Sequence, residues 1–438
     1  MALQRRLGDL PMTRQHYRIW WMASLGFFFE GIDLTIVGGI LVVMSRVFHL
    51  STAFVGVIGS TALAGYVVGV ALAGWLGDRY GRKFVIMYTL LVFASLTIVS
   101  AASWNGIVFA ILRFLVGIGV GGESAIVTPY LSEVMPAKFR GRLLGISDAM
   151  FTVGAIIAAL INLFLIPAGS WGWRAALVVA GLPALYVWVI RKNLPESPVW
   201  LARHGRNQEA ETVLAQLQPT PATQDTRSEL SDREPETSAP RNTVAALWSR
   251  GAAHKTGALW TIWFFIELVY YGFLIWLPSL LVRHGYSIVK SLTYAFLINI
   301  AALIGGIIAS VLQDTAWGRK AWIIVFFALS GLSSYFFAHA STSAAILTAA
   351  SALSFLLNGL FSMLYTFTPE QYLSSYRSTG QGFASAVGHI GGVVGPLLVG
   401  ATLTALGMTG VFGLFAIFLL VPIIGTLFLT ETRAKVVQ

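Results

Sequence analysis

Apolar runs long enough to cross a bilayer recur along the whole chain, separated by short segments rich in Arg, Lys, Gly and Pro. A spanning helix needs about 20 largely apolar residues. Windows of that size place spans at about 19–44, 54–76, 84–103, 105–127, 143–166 and 173–191, then at about 258–282, 290–313, 321–340, 344–367, 380–403 and 408–429. The runs are too long for barrel strands, so the pattern predicts an all-α membrane protein of twelve transmembrane helices in two six-helix bundles. The expected division is 1–191 for the first bundle, 192–255 for a linker and 256–438 for the second bundle. Within the linker, Pro198 to Leu217 is patterned for short amphipathic helices. Gln218 to Thr243 is rich in Pro, Ser, Thr and acids without aromatics, the composition of a partly disordered tether.

The two halves are copies. Gly81, Arg82 and Lys83 recur as Gly318, Arg319 and Lys320, and Glu133, Arg140 and Gly145 as Glu370, Arg377 and Gly382, each at an offset of 237. FFFE, ending at Glu30, is answered at the same offset by FFIE, ending at Glu267. An even number of spans per half makes the repeats parallel, which makes the halves pseudo-symmetric and places a substrate site near the midplane between them.

Composition sharpens the class. Of 438 residues, 56% are hydrophobic and 11% charged, against roughly a quarter charged in soluble domains. The net charge of +10 is read as positive-inside bias rather than nucleic-acid binding. Arg5, Arg6, Arg14, Arg18, Arg79, Arg82, Lys83, Lys138, Arg140 and Arg142 fall on one side, whereas Arg46, Arg174, Arg283 and Lys290 fall on the other. That asymmetry predicts a multi-pass protein of a cell membrane, the bacterial inner membrane, with both termini cytoplasmic. There is no cysteine, hence no disulfide and no thiolate chemistry.

The candidate chemistry lies inside the spans. Glu30 and Asp33 sit one turn apart in the first span, where an ionised carboxylate costs at least ~2.5 kcal/mol unless paired, protonated or used. Arg113 in the fourth span must meet a carboxylate or an anion, and Gly117 and Gly121 after it form a strip for close helix approach. In the seventh span Glu267, Tyr270 and Tyr271 share a face, which suits a polar aromatic cavity wall. Asn299, Asn358 and Tyr365 are further candidate substrate contacts, and His389, if exposed, titrates near neutral pH and is a candidate proton carrier. Asp33, Glu30, Arg113 and His389 are thus the expected proton-coupling set, with Asp33 foremost because its repeat mate is Tyr270. Glu30, Glu267, Tyr270, Tyr271, Asn299, Asn358 and Tyr365 are the expected substrate set. Glu123 and Asp148, near the ends of the fourth and fifth spans, rank below them. The bland alternative is that the first-helix acids are neutralised by a cation for structural reasons alone.

Several motifs occur in order: GWLGDRYGRK (Gly74 to Lys83), RFLVGIGVGGES (Arg113 to Ser124), PYLSEVMPAKFRGR (Pro129 to Arg142) and LPESPVWL (Leu194 to Leu201), echoed by QDTAWGRK (Gln313 to Lys320) and LTETR (Leu429 to Arg433). Together they resemble the major facilitator superfamily, and within it the sugar-and-other-metabolite transporter group. The resemblance implies alternating access with a cytoplasmic gate at Asp78, Arg82, Glu133, Arg140, Glu196, Arg319, Glu370 and Arg377. Acid–base sets there would bridge the halves when the inner mouth is shut. In the second copy Asp314 has no arginine beside it and Ser378 replaces a glycine, so a looser gate is expected in that half.

Glu30-Gly31-Ile32-Asp33 is similar to the D-G-x-D signature of aromatic-acid/proton symporters, with Glu in place of the first Asp. The expected function is proton symport of a small organic or aromatic acid, driven by the proton gradient without cofactor or metal, in a monomer. The alternatives are proton-coupled efflux of a drug or siderophore-like compound and a non-transporting membrane sensor. An enzyme is disfavoured, since no H-E-x-x-H, G-x-S-x-G or paired metal-ligand motif lies in a span.

Overall fold

The computed structural model describes residues 6–218, 243–249, 251–373 and 376–433, and all regular structure among them is helical. In the first half α1 spans Arg14–Val47, α2 Thr52–Tyr80, α3 Arg82–Ser100, α4 Gly106–Val134, α5 Ala137–Leu165 and α6 Gly172–Asn193. Pro183 tightens the middle of α6 into a 3-10 turn, Leu182–Tyr186. In the second half α7 is Ala253–Arg283, α8 Ile288–Leu312, α9 Arg319–His339 and α10 Ser343–Glu370. The last stretch, Arg377–Leu427, holds two helices that meet at Gly407, here α11 (377–406) and α12 (408–427). Gly407 has φ 64°, a left-handed conformation that favours glycine. The eleven apolar helical stretches are therefore the twelve expected spans, with the last two joined end to end.

Each half repeats one packing plan. In the first, α1 packs on α5, and α4 on both α2 and α3; in the second, α7 packs on the α11–α12 stretch, and α10 on both α8 and α9. The halves meet through α2 against α11, α5 against α8 and α1 against α7. The glycine strip on α4 acts as the spacing implies, because a Cβ on Gly117 would lie 1.9 Å from the Ala62 carbonyl oxygen. Towards the end opposite the termini the halves are in close contact: Arg283 donates to Thr52 Oγ1 at 2.8 Å, and a Cβ on Gly56 would stand 2.9 Å from Gly400 Cα. Near the midplane Ser60 Oγ donates to the Val393 carbonyl at 2.7 Å.

In the linker, Pro198–Arg203 and Asn207–Leu217 are helical. The second buries Ala210, Val213, Leu214 and Leu217, the i, i+3, i+4, i+7 stripe of an amphipathic helix. Thr13 Oγ1 and Arg6 tie the N-terminal segment to it through the Leu217 carbonyl and Glu211. The expected tether from Gln218 to Thr243 lies almost wholly outside the described residues.

Candidate functional site: a midplane carboxylate cluster between two end networks

At the end that carries the termini, each half builds the same ion-pair network. Gly81 ends α2 with φ 101°, a conformation open to glycine, and this turns the chain so that α3 begins at Arg82. Arg82 then holds Asp78 at 2.8 Å and Glu133 at 3.1 Å. Glu196 Oε1 caps the exposed amides of α3, accepting from the Arg82 and Lys83 N–H groups at 2.9 and 3.2 Å, an anion at a helix N-terminus. Burial pushes the Glu196 carboxyl above its ordinary range, against the opposing pull of the amides of Ser197, Lys83 and Arg82.

In the second half Gly318 makes the same turn at φ 82°. Arg319 holds Asp314 at 3.1 Å and also pairs with Glu370. Glu431 accepts from the Arg319 and Lys320 amides at 3.1 and 2.9 Å. For Glu431, partial burial raises the carboxyl, but amide bonds from Arg433, Lys320, Arg319 and Thr432 outweigh it and hold it below the ordinary glutamate range.

One expectation changes here. The second network repeats the arginine's two acid pairs and the glutamate on the helix amides, because Asp314, five residues before Arg319, reaches it without an arginine beside it in sequence, while the first holds two further bonds, from Arg82 to the Gly77 carbonyl and from Ser197 to Glu133. These arginines also hold carboxylates of their own half, and Glu133 pairs with Arg82 instead of Arg140. Arg140 donates instead to the Met135 carbonyl at 3.2 Å. Arg377 opens α11. Glu431, the mate of Glu196, was absent from the expected set, although the LTETR echo of LPESP signalled it.

Deep in the first half, Asp33 and Arg113 form a doubly bonded ion pair at 2.6 and 3.0 Å, fully buried on both sides. Thr97 Oγ1 donates to Asp33 at 2.6 Å and Arg113 also reaches the Asp33 carbonyl at 3.2 Å. The pair thus ties α1, α3 and α4. The second half has nothing comparable, since Tyr270 and Ala350 stand at the repeat positions.

The remaining acids gather between the halves. Glu30, Glu123 and Glu267 are all buried, and Asp148 is half-buried. The Glu123 carboxylate lies against Gly26 of α1, one turn before Glu30: a Cβ there would be 2.4 Å from Oε1. Ser124 stands beside both Glu30 and Tyr66. Glu267 lies against Gly388 of α11, with His389 Nδ1 at 3.4 Å. That nitrogen is 2.8 Å from the Ser385 carbonyl. The His389 ring stacks on Tyr66 of the other half, centroids 4.1 Å apart and planes at 3°. Among the described residues, Glu123 Oε2 and Glu267 Oε2 have no hydrogen-bond partner.

Aromatic rings wall this cluster. Tyr270 packs on Tyr271 and Phe361 at 5.1 and 5.0 Å, and Trp263 on Tyr365 at 5.0 Å. Asn358 takes a cross-half contact from Thr152 Oγ1 at 3.4 Å. Of the expected substrate set, only Asn299 falls elsewhere. It donates to the Ala295 carbonyl and lines a cavity of about 20 Å3 with Thr35, Gly39, Asn162 and Pro278. Tyr66, Ser124, Thr97 and Trp263 were missing from the expectation. No repeat marks Tyr66, because Leu303 stands at its offset position.

This architecture has known counterparts. The family described as "Sugar (and other) transporter" matches residues 19–436. The chain belongs to that family, within the major facilitator superfamily. It is 36% identical to the niacin transporter of Acinetobacter baylyi, with 100% of this chain and 99% of that protein covered. It is 35% identical to a putative niacin/nicotinamide transporter of Bacillus subtilis, with 92% of each covered. An inward-open structure of the xylose transporter of Escherichia coli superposes with TM-score 0.76 at 18% identity, covering 96% of this chain and 98% of that one, which shows the shared fold. The protein is thus a multi-span transporter of a bacterial membrane family, and not an enzyme.

Proposed function

We propose that this transporter takes up a small aromatic acid together with protons, with both termini in the cytoplasm of a bacterial cell and a single chain as the working unit. The observation that carries the reading is the pairing of two unlike devices: the sealed Asp33–Arg113 ion pair, and beside it the Glu30–Glu267 cluster walled by tyrosines. Niacin is an aromatic acid, and two proteins whose names carry it match 100% and 92% of this chain. Protonation of Asp33 removes the charge that holds Arg113. A buried cation left unpaired costs about 3–5 kcal/mol, so Arg113 is drawn to the next available anion, Glu30 or the carboxylate of the cargo. Proton and acid then enter together, and the coupling is differential affinity of the two for one conformation. His389, between Glu267 and Tyr66, links that event to the contact between the halves.

The end networks around Arg82 and Arg319 serve as the cytoplasmic gate together with Arg140, Glu196, Glu370 and Arg377. We take 1–191 and 256–438 as the moving bundles and 192–255 as the linker. The test is uptake of labelled nicotinate into proteoliposomes under an imposed pH gradient. Accumulation that collapses with an uncoupler supports the proposal; gradient-independent uptake refutes the coupling.

A further inference from the structure

The small cavity beside Asn299 lies between the halves. Thr35 of α1, Asn162 of α5, Leu274 and Pro278 of α7 and Asn299 of α8 all line it. On α1 and α7 it sits about two helical turns beyond Glu30 and Glu267, towards the far end of the molecule, opposite the termini. We infer that it is the binding site of a single water molecule, which bridges the two halves while the far end is closed. The site is separate from the carboxylate cluster and independent of the acid that is carried.

The polar atoms at the cavity are left over from other bonds. Asn162 Nδ2 donates to the Ile36 carbonyl at 3.1 Å and Asn299 Nδ2 to the Ala295 carbonyl at 2.8 Å, so each amide oxygen remains as an acceptor. Thr35 Oγ1 and Asn162 Oδ1 have no hydrogen-bond partner among the described residues, although the two residues are only 8% and 3% exposed. Pro278 has no N–H, so the Leu274 carbonyl loses its helical donor. That carbonyl faces α1, since a Cβ on Gly38 would stand 3.3 Å from it. Among the described residues no charged side chain lines the cavity, which therefore suits a neutral ligand. A ligand that accepts from the Thr35 hydroxyl and donates to two carbonyl oxygens, within about 20 Å3, is a water. A polar cavity of ~10–15 Å3 or more holds one when two to four polar groups converge on it. Without it, burial of the hydroxyl and the carbonyls would count against the closed arrangement. With it, α1 and α5 are hydrogen-bonded through one molecule to α7 and α8.

The full-length chain has no cysteine, so a pair of spin labels reports the far end without background. Ala53→Cys and Thr404→Cys place them at exposed positions in the first turn of α2 and the last turn of α11. Inter-label distances in lipid nanodiscs then give the fraction of molecules open at that end. Thr35→Val keeps the shape of the side chain but removes the hydroxyl. If a water is bound, the substitution takes away one of its partners and exposes the remaining acceptors to burial without a donor. The expected result is a rise of about three- to tenfold in the ratio of open to closed molecules, with Thr35→Ser close to the labelled parent. If the hydroxyl were buried with no partner at all, its removal would favour closure instead. A fall in the open fraction with Thr35→Val, or no change, overturns the proposal. Should Thr35→Val fail to fold, a map of the wild type closed at the far end decides. Ordered density within about 3.2 Å of both Thr35 Oγ1 and Asn162 Oδ1 supports the site, and no density there refutes it.

Discussion

Replacing Asp33 with Asn tests the coupling role most directly. The side chain keeps its shape and can still accept from Thr97, which now donates at 2.6 Å. It loses the charge that answers Arg113 across bonds of 2.6 and 3.0 Å. Both groups are sealed from solvent, so the variant strands a buried cation at a cost of about 3–5 kcal/mol. Two consequences separate. Stability should fall by about that amount, and Asp33→Asn combined with Arg113→Gln should recover most of it, because no uncompensated charge remains. Accumulation should not recover in the double variant. One proton moving down a pH gradient supplies about 1.4 kcal/mol per unit, about tenfold accumulation, and without a titrating Asp33 this ratio drops to about one while exchange continues. The assays are thermal unfolding in detergent, and uptake and counterflow in proteoliposomes. Wild-type accumulation in Asp33→Asn would refute the coupling role. Recovery of accumulation in the double variant would show the pair to be structural only.

Three further outcomes follow from the end networks and the linker. Glu431 is held below the ordinary glutamate value, so on acidification the unfolded chain takes up its proton first. The stability it contributes is present above that value and is lost as pH falls through the folded one. The melting-temperature gap between wild type and Glu431→Gln should therefore shrink on acidification, and a gap independent of pH would contradict this. Gly81→Ala should cost about 1–3 kcal/mol, since the backbone there has φ 101° and the new Cβ would stand 2.3 Å from Glu196 Oε2; unchanged melting would exclude that crowding. Co-expressed pieces 1–218 and 243–438 should assemble into an active transporter, because Leu217 and Leu247 anchor the cut ends as buried residues, and failure of purified pieces to exchange nicotinate would show that the join between them is required.

Much of this protein is written in local pattern. Twelve apolar runs fix the spans because a helix inside a bilayer must satisfy its own backbone, and even the join at Gly407 leaves their number unchanged. The offset of 237 residues fixes the pseudo-symmetry, and with it the correspondence of Glu30 and Glu267. The sequence also demands a carboxylate or a bound anion for Arg113, since no cation sits alone at that depth.

Which acid answers it is a tertiary matter. Glu30 and Asp33 are both one turn from each other and equally placed by spacing, yet Thr97 on α3 and Arg113 on α4 select Asp33 and leave Glu30 to the cluster. The same holds for the Tyr66–His389 stack, which joins residues 323 positions apart, and for Asp314 reaching Arg319 when the local motif had lost its neighbour. Asn299 joined the expected substrate set by depth and lines instead a small separate cavity with Thr35 and Pro278, because depth along a helix does not fix which neighbours its face meets. Periodicity decides where a chain enters and leaves the membrane, since that depends on each segment alone. Partner choice among buried charges depends on distances between segments remote in sequence, and those exist only once the helices have packed.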